Sequence, residues 1–127
     1  MAMTTKTDNQ LVSLKRRIRQ FYELLNEQDH ARCHQMIDPR VREKPSSVTL
    51  LQYTQSIRDF HAAVGQIEIE RIELDLHIDE PNKLYQDRDF ATGQTWWTDG
   101  KGEQHVFSER WVREGRVWYT RNTGFIK

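Results

Sequence analysis

At 127 residues the chain has the length of one domain with one core. Nineteen basic and nineteen acidic residues cancel, and this balance excludes a nucleic-acid binder that relies on a strong positive field. A single cysteine, Cys33, rules out an internal disulfide and fits a reducing, cytoplasmic setting; no stretch approaches a membrane span, and residues 1–7 lack the apolar core of a secretion signal.

Thr7 followed by Gln10 forms a capping-box pattern. Leu11, Leu14, Ile18, Phe21, Tyr22 and Leu25 then recur at helical spacing. This predicts a first helix from about Asp8 to Glu27, with residues 1–7 disordered ahead of it. Its outer side carries Lys15, Arg16, Arg17 and Arg19, a solvated basic run in which Arg19 can pair with Glu23 one turn on. Asp29 is the expected N-cap of a short second helix that ends at Met36 or Ile37, because the residue before Pro39 avoids the helical region. Residues 40–45 read as a charged loop. Ser46 and Ser47 are the expected caps of a third helix with apolar positions Leu50, Tyr53, Ile57, Phe60 and Val64, stopped by Gly65.

The period then changes from helical to alternating. Ile67 and Ile69 alternate with glutamates, and after Arg71 the phase flips to Ile72, Leu74, Leu76 and Ile78. A one-residue slip of this kind marks a β-bulge near Glu70-Arg71. Glu80-Pro81-Asn82 reads as a turn and Leu84-Tyr85 as the opening of the next strand. From Phe90 to Phe125 the pattern predicts three antiparallel strands. A two-residue loop at Glu114-Gly115 pairs Trp111 with Trp118 and Glu109 with Thr120. A turn from Asp99 to Gly102 puts Trp96 opposite His105 and Phe90 opposite Trp111. Alternation then gathers Phe90, Trp96, Phe107, Trp111 and Trp118 on one face with Glu109 in its middle. The opposite face carries Thr95, Trp97, Val106, Arg110, Val112 and Tyr119.

The order of three helices before a bulged sheet, the segment Phe21-Tyr22-Glu23-Leu24-Leu25-Asn26-Glu27-Gln28-Asp29, and the hairpin Arg110-Trp111-Val112-Arg113-Glu114-Gly115-Arg116-Val117-Trp118 resemble the nuclear transport factor 2-like superfamily, the cystatin-like α+β cone. The resemblance spans nearly the whole chain. It implies one α+β domain, 1–127, in which three N-terminal helices pack on a curved, bulged antiparallel sheet to form a cone with a cavity. It also implies a homodimer. This superfold hosts enzymes and binding modules alike. Its enzymes, such as ketosteroid isomerase and the polyketide cyclases, use cavity carboxylates or histidines, some with a tyrosine from the first helix, a place that Tyr22 occupies here.

Glu109 is the first candidate site residue. Burial among rings raises a carboxyl pKa toward the range of a general acid or base working near neutrality, with Tyr22 stabilising a developing oxyanion. The competing reading pairs Glu109 with an arginine or leaves it at an exposed rim. Phe90, Trp96, Phe107, Trp111 and Trp118 are the expected pocket lining. His105 lies four residues from Glu109, about 13 Å along a strand, too far for a direct dyad. Asp75 and His77 share the side away from the aliphatic stripe and face water or a partner. His30, Cys33 and His34 share a helix face, but no second ligand cluster accompanies them, so no metal site is predicted. Trp97, Arg110, Val112 and Tyr119 have the composition of an interface and are the expected dimer contact. With the two faces exchanged, Arg110, Tyr119 and Arg121 would instead line a cavity suited to an anion.

No nucleotide motif, phosphate loop or nucleophile elbow is present, so no cofactor is predicted. Three readings follow. The first is a pocket protein for a small hydrophobic organic molecule. The second is a cofactor-independent isomerase, dehydratase or cyclase with Glu109 moving a proton. The third is a protein-interaction or assembly module.

Overall fold

The computed structural model describes residues 6–44 and 49–123. Its elements are α1 (Lys6–Glu27), α2 (His30–Gln35), α3 (Pro39–Arg42), α4 (Leu50–Val64), β1 (Glu68–His77), β2 (Phe90–Thr98), β3 (Gln104–Glu114) and β4 (Val117–Thr120). Helices form the first half of the chain. The second half is an open antiparallel sheet in the order β1-β2-β3-β4, so the protein is α+β.

The helices follow their apolar stripes. Leu14, Ile18, Phe21 and Leu25 of α1 are buried, and so are Tyr53, Ile57 and Phe60 of α4. Buried side chains of this size contribute about 1.5–3 kcal/mol each, and the two stripes meet Ile72, Ala91, Trp97, Trp111 and Trp118 of the sheet in one core. α1 closes with Gln28 in the left-handed region at φ +57°. Asn26, in its last turn, clamps the start of the sheet by donating to the Ile67 carbonyl (2.8 Å) and accepting from its amide (2.7 Å). Asp29 caps α2, accepting from the Arg32 amide at 3.2 Å.

Several boundaries differ from the sequence reading. Lys6 and Thr7 already belong to α1, so Thr7 lies inside the first turn and does not precede it. Part of the expected charged loop is helical: Asp38 caps α3, and Pro39 sits at its first position, where a missing N–H costs nothing. The cap of α4 is Thr49, locked with Gln52 in a reciprocal capping box (3.1 and 2.9 Å). Ser46 and Ser47, the expected caps, lie outside the described residues, as does Phe125. Leu84 and Tyr85 do not begin a strand. They sit in a turn stabilised by the Asn82 side chain, which accepts from the Tyr85 amide at 2.8 Å, with Gln86 and Asp87 left-handed at φ +54° and +57°.

The bulge lies where the phase flip put it: β1 pairs with β2 on both sides of Glu70, with the register shifting between Ile69 and Arg71. The register between β2 and β3 is one residue away from the expectation. Five residues separate the strands, 99–103, so Thr95 pairs with Phe107, Trp97 with His105 and Phe90 with Val112. Asp99 sets that length. Its side chain accepts from the amides of Lys101 (2.8 Å) and Glu103 (3.0 Å), and its own amide donates to the Glu103 carbonyl (2.8 Å). A one-residue slip exchanges the faces of a whole strand. Thr95 and Trp97 therefore join the helix-facing side, while Phe90 and Trp96 go to the other. The β3–β4 loop is Gly115-Arg116, with Gly115 at φ +63° in the glycine-first pattern of a II′ turn. Trp111 accordingly faces Thr120, not Trp118, but the shift keeps parity, and Trp111 and Trp118 remain together in the core.

Candidate functional site

The helical stripe of α1 turns Tyr22 toward the sheet, and alternation along β3 turns Glu109 toward α1. Glu109 is 4% exposed. Its Oε2 accepts from the Tyr22 hydroxyl at 2.7 Å and from the Thr95 hydroxyl at 2.8 Å, and its Oε1 accepts from the Trp111 indole N–H at 2.7 Å. All three donors are neutral. Burial pushes the Glu109 carboxyl above its ordinary range, and the three hydrogen bonds, led by that from Trp111, pull it only partway back. Burial, reinforced by the Glu109 charge, pushes the Tyr22 phenol well above its ordinary value. Three of the four lone-pair positions of the carboxylate are thus used, leaving one on Oε1.

Beside this cluster is a cleft of about 360 Å³ whose lining includes Phe21, Tyr22, Tyr53, Phe107 and Glu109. That volume falls at the small end of the range for small-molecule sites. Opposite Glu109 on β2 is Gly93, where β1 comes so near that a Cβ would collide with the Glu73 carbonyl oxygen and Leu74 Cα. The only residue type that fits there leaves the neighbourhood of Glu109 without a further side chain.

The structure sorts the expected site residues. Glu109, Tyr22 and Phe107 meet at the cleft, and Trp111 and Trp118 are core residues, Trp111 also bonding Glu109. Phe90 and Trp96 are corrected by the five-residue loop: they lie on the outer face. There Phe90 stacks between His77 and Tyr85 at 4.4 Å from each, and Trp96 lies beneath the Arg71 guanidinium at 3.8 Å. Of the four expected interface residues, Trp97 faces the helices at 1% exposure and Val112 is fully buried within the single chain, so neither has surface to give a partner. Arg110 is exposed and Tyr119 partly so. Thr95 was missed as a Glu109 ligand solely because of the register.

His105 does not approach Glu109. Its Nε2 lies 2.8 Å from Asp99 Oδ2, and its ring stacks on Trp97 at 4.4 Å. The hydrogen bond from His105 is the main reason the Asp99 carboxyl is held below its ordinary value. Asp99, Glu103 and His105 offer ligand atoms within 4.8 Å of one another, though a cation there would have to break the Asp99–His105 bond. The helix-face trio does not assemble into such a group among the described residues: Cys33 is buried and His34 packs edge-on to Tyr53 at 5.6 Å.

A second polar cluster had no local sequence signal. Asp38, fully buried, takes two guanidinium hydrogen bonds from Arg88 at 2.8 and 2.9 Å, and Arg121 approaches it at 3.4 Å. Arg88 also donates to Glu114 at 3.0 Å and to the Tyr85 carbonyl at 2.8 Å. Burial alone would raise the Asp38 carboxyl, but the Arg88 hydrogen bonds, the Arg40 amide and the two guanidinium charges bring it below its ordinary value.

No helix among the described residues is long and apolar enough to cross a membrane. No protein-family profile matches the chain, and no curated protein is significantly similar to it.

Proposed function

We propose that this is a pocket protein of the nuclear transport factor 2-like kind that binds a small, mostly apolar organic molecule in the Glu109 cleft. The observation that carries the reading is a buried carboxylate held by three neutral donors, and by no cation in a salt bridge among the described residues, beside a cleft that combines aromatic rings with a polar rim that includes Arg110 and Asn122. A buried ionised group is ordinarily paired or coordinates a metal; one left without a counter-charge and desolvated is suited to meeting a polar atom of a ligand. The helices on one side of a bulged antiparallel sheet support the cone-like architecture of that superfamily. Homodimerisation in a reducing, cytoplasmic setting completes the proposal, with Tyr119 and the exposed Val117 as available outer surface and Arg110 and Val106 at the rim of the cleft.

The Tyr22–Glu109 hydrogen bond favours a second reading, a cofactor-independent isomerase, dehydratase or cyclase. Glu109, pushed up by burial, would take or give the proton. Tyr22 donates to Glu109 at 2.7 Å, so its hydroxyl would turn to a developing oxyanion as Glu109 becomes protonated and needs that donor less.

The test is a fragment screen by NMR on the intact protein, followed by Glu109→Gln. Ligand-induced shifts clustered on Tyr22, Phe107 and Trp111 support the pocket; hits that leave these residues unmoved refute it. For a carbonyl-bearing hit, solvent deuterium entering the bound molecule with wild type but not with Glu109→Gln, at affinities within threefold, supports proton transfer. Equal exchange in both proteins removes Glu109 from that role.

A further inference from the structure

The turn that sets the sheet register also builds a second site. A cleft of about 520 Å³ opens between the C-terminal half of α4 and the β2–β3 loop, walled by Phe60, Ala63, Trp97 and Phe107 and carrying His105 and Asp99 at its polar end. Phe107 borders both clefts, and the four residues from His105 to Glu109 put the two polar ends about 13 Å apart. This is a different site from that of the proposed function.

Its polar end is preorganised. The Asp99 side chain is 4% exposed and anchored by two loop amides, and its Oδ2 meets His105 Nε2 at 2.8 Å. An ionised carboxylate only accepts, so Nε2 carries the proton and the lone pair of a neutral imidazole is on Nδ1. Nδ1 has no hydrogen-bond partner among the described residues. Trp97, stacked 4.4 Å from the imidazole at 20°, holds the ring from its other side. Asp99 and Glu103 oppose an anionic group here, and Lys101 opposes a cationic one. A neutral donor on an aromatic body fits what remains.

We propose that this second cleft binds a compact phenol, its ring against Phe60, Ala63 and Phe107 and its hydroxyl donating to His105 Nδ1, with the buried Trp97 backing the imidazole.

The experiment uses p-cresol as the probe and toluene as the control, read by ¹⁵N-edited NMR of the imidazole and indole groups of the full chain. The expected result is a saturable shift of His105 and Trp97 with p-cresol and at least tenfold weaker binding of toluene. His105→Phe should weaken p-cresol at least fivefold and leave toluene unchanged. Ala63→Leu, which narrows the cleft from α4 without touching the dyad, should weaken both; it carries the test if His105→Phe fails to fold. Shifts centred on Tyr22 and Trp111, equal affinity for toluene and p-cresol, no saturable shift up to the solubility of p-cresol, or unchanged binding by Ala63→Leu would each overturn the proposal.

Discussion

Replacing Asp38 by alanine tests the buried ionic cluster. Arg88 has a side-chain exposure of 7% and Asp38 one of 0%, so deleting the carboxylate leaves a desolvated guanidinium short of two hydrogen bonds. Breaking a buried pair in this way costs about 3–5 kcal/mol. Arg88 keeps Glu114 and the Tyr85 carbonyl, which places the loss near the lower end, at about 3 kcal/mol. With an unfolding entropy of roughly 2.1 cal/mol/K per residue over 127 residues, that corresponds to a fall in Tm of about 11 °C. Asp38 also caps α3, so the single variant overstates the pair. A double-mutant cycle with Arg88→Ala, followed by urea unfolding, removes the capping contribution and should return a coupling of about 2–3 kcal/mol. The pH dependence has a defined sign. The folded-state pKa of Asp38 is depressed, so its stabilisation is present above the unfolded carboxyl value and is lost as pH falls through the folded value. Additive single variants, or a wild type and Asp38→Ala that lose stability in parallel on acidification, would refute the account.

Glu109→Gln should fold, because the amide oxygen can accept from Trp111 while its NH₂ donates to the hydroxyls of Tyr22 and Thr95. The raised carboxyl of Glu109 means that wild type loses stability as pH rises from the unfolded carboxyl range to the folded value. The stability of Glu109→Gln relative to wild type should therefore grow over that interval in urea midpoints from pH 4 to 8; a constant gap contradicts the shift. Gly93→Ala should cost about 3 kcal/mol by forcing β1 away from β2, measured by thermal unfolding, and a neutral result would mean that the two strands are not so close. Burial pushes the Cys33 thiol up to about 12, so native protein should react with a thiol reagent only through opening, with full labelling in denaturant; rapid native labelling would contradict its burial.

What was legible in the sequence is what is local. The stripes of α1 and α4, the Asp29 cap and the bulge at Glu70 each follow from a period or a cap read over a few residues. Glu109 and Tyr22 came together because each sits on a stripe whose partner layer is dictated by burial. The faces of Phe90, Trp96 and Trp97 were not legible, since they depend on whether the turn after Thr98 holds four residues or five, and the Asp99 side-chain bonds that settle it look like any turn aspartate. Asp38 read only as a helix end before proline. Its partners lie 50 and 83 residues away in the chain, a distance over which no periodicity speaks.

The odd length of the Asp99 loop has a consequence for how this chain tolerates change. Removing one residue between Thr98 and Gln104 would swap the inside and outside of β2, bringing Trp96 under the helices and driving Trp97 and the Thr95 hydroxyl into solvent, while every residue outside the loop kept its identity. Length variation there is therefore admissible in pairs. A two-residue insertion would leave the Glu109 cleft intact and lengthen only the hairpin tip, whereas a one-residue deletion would disable the site without altering any residue that touches it.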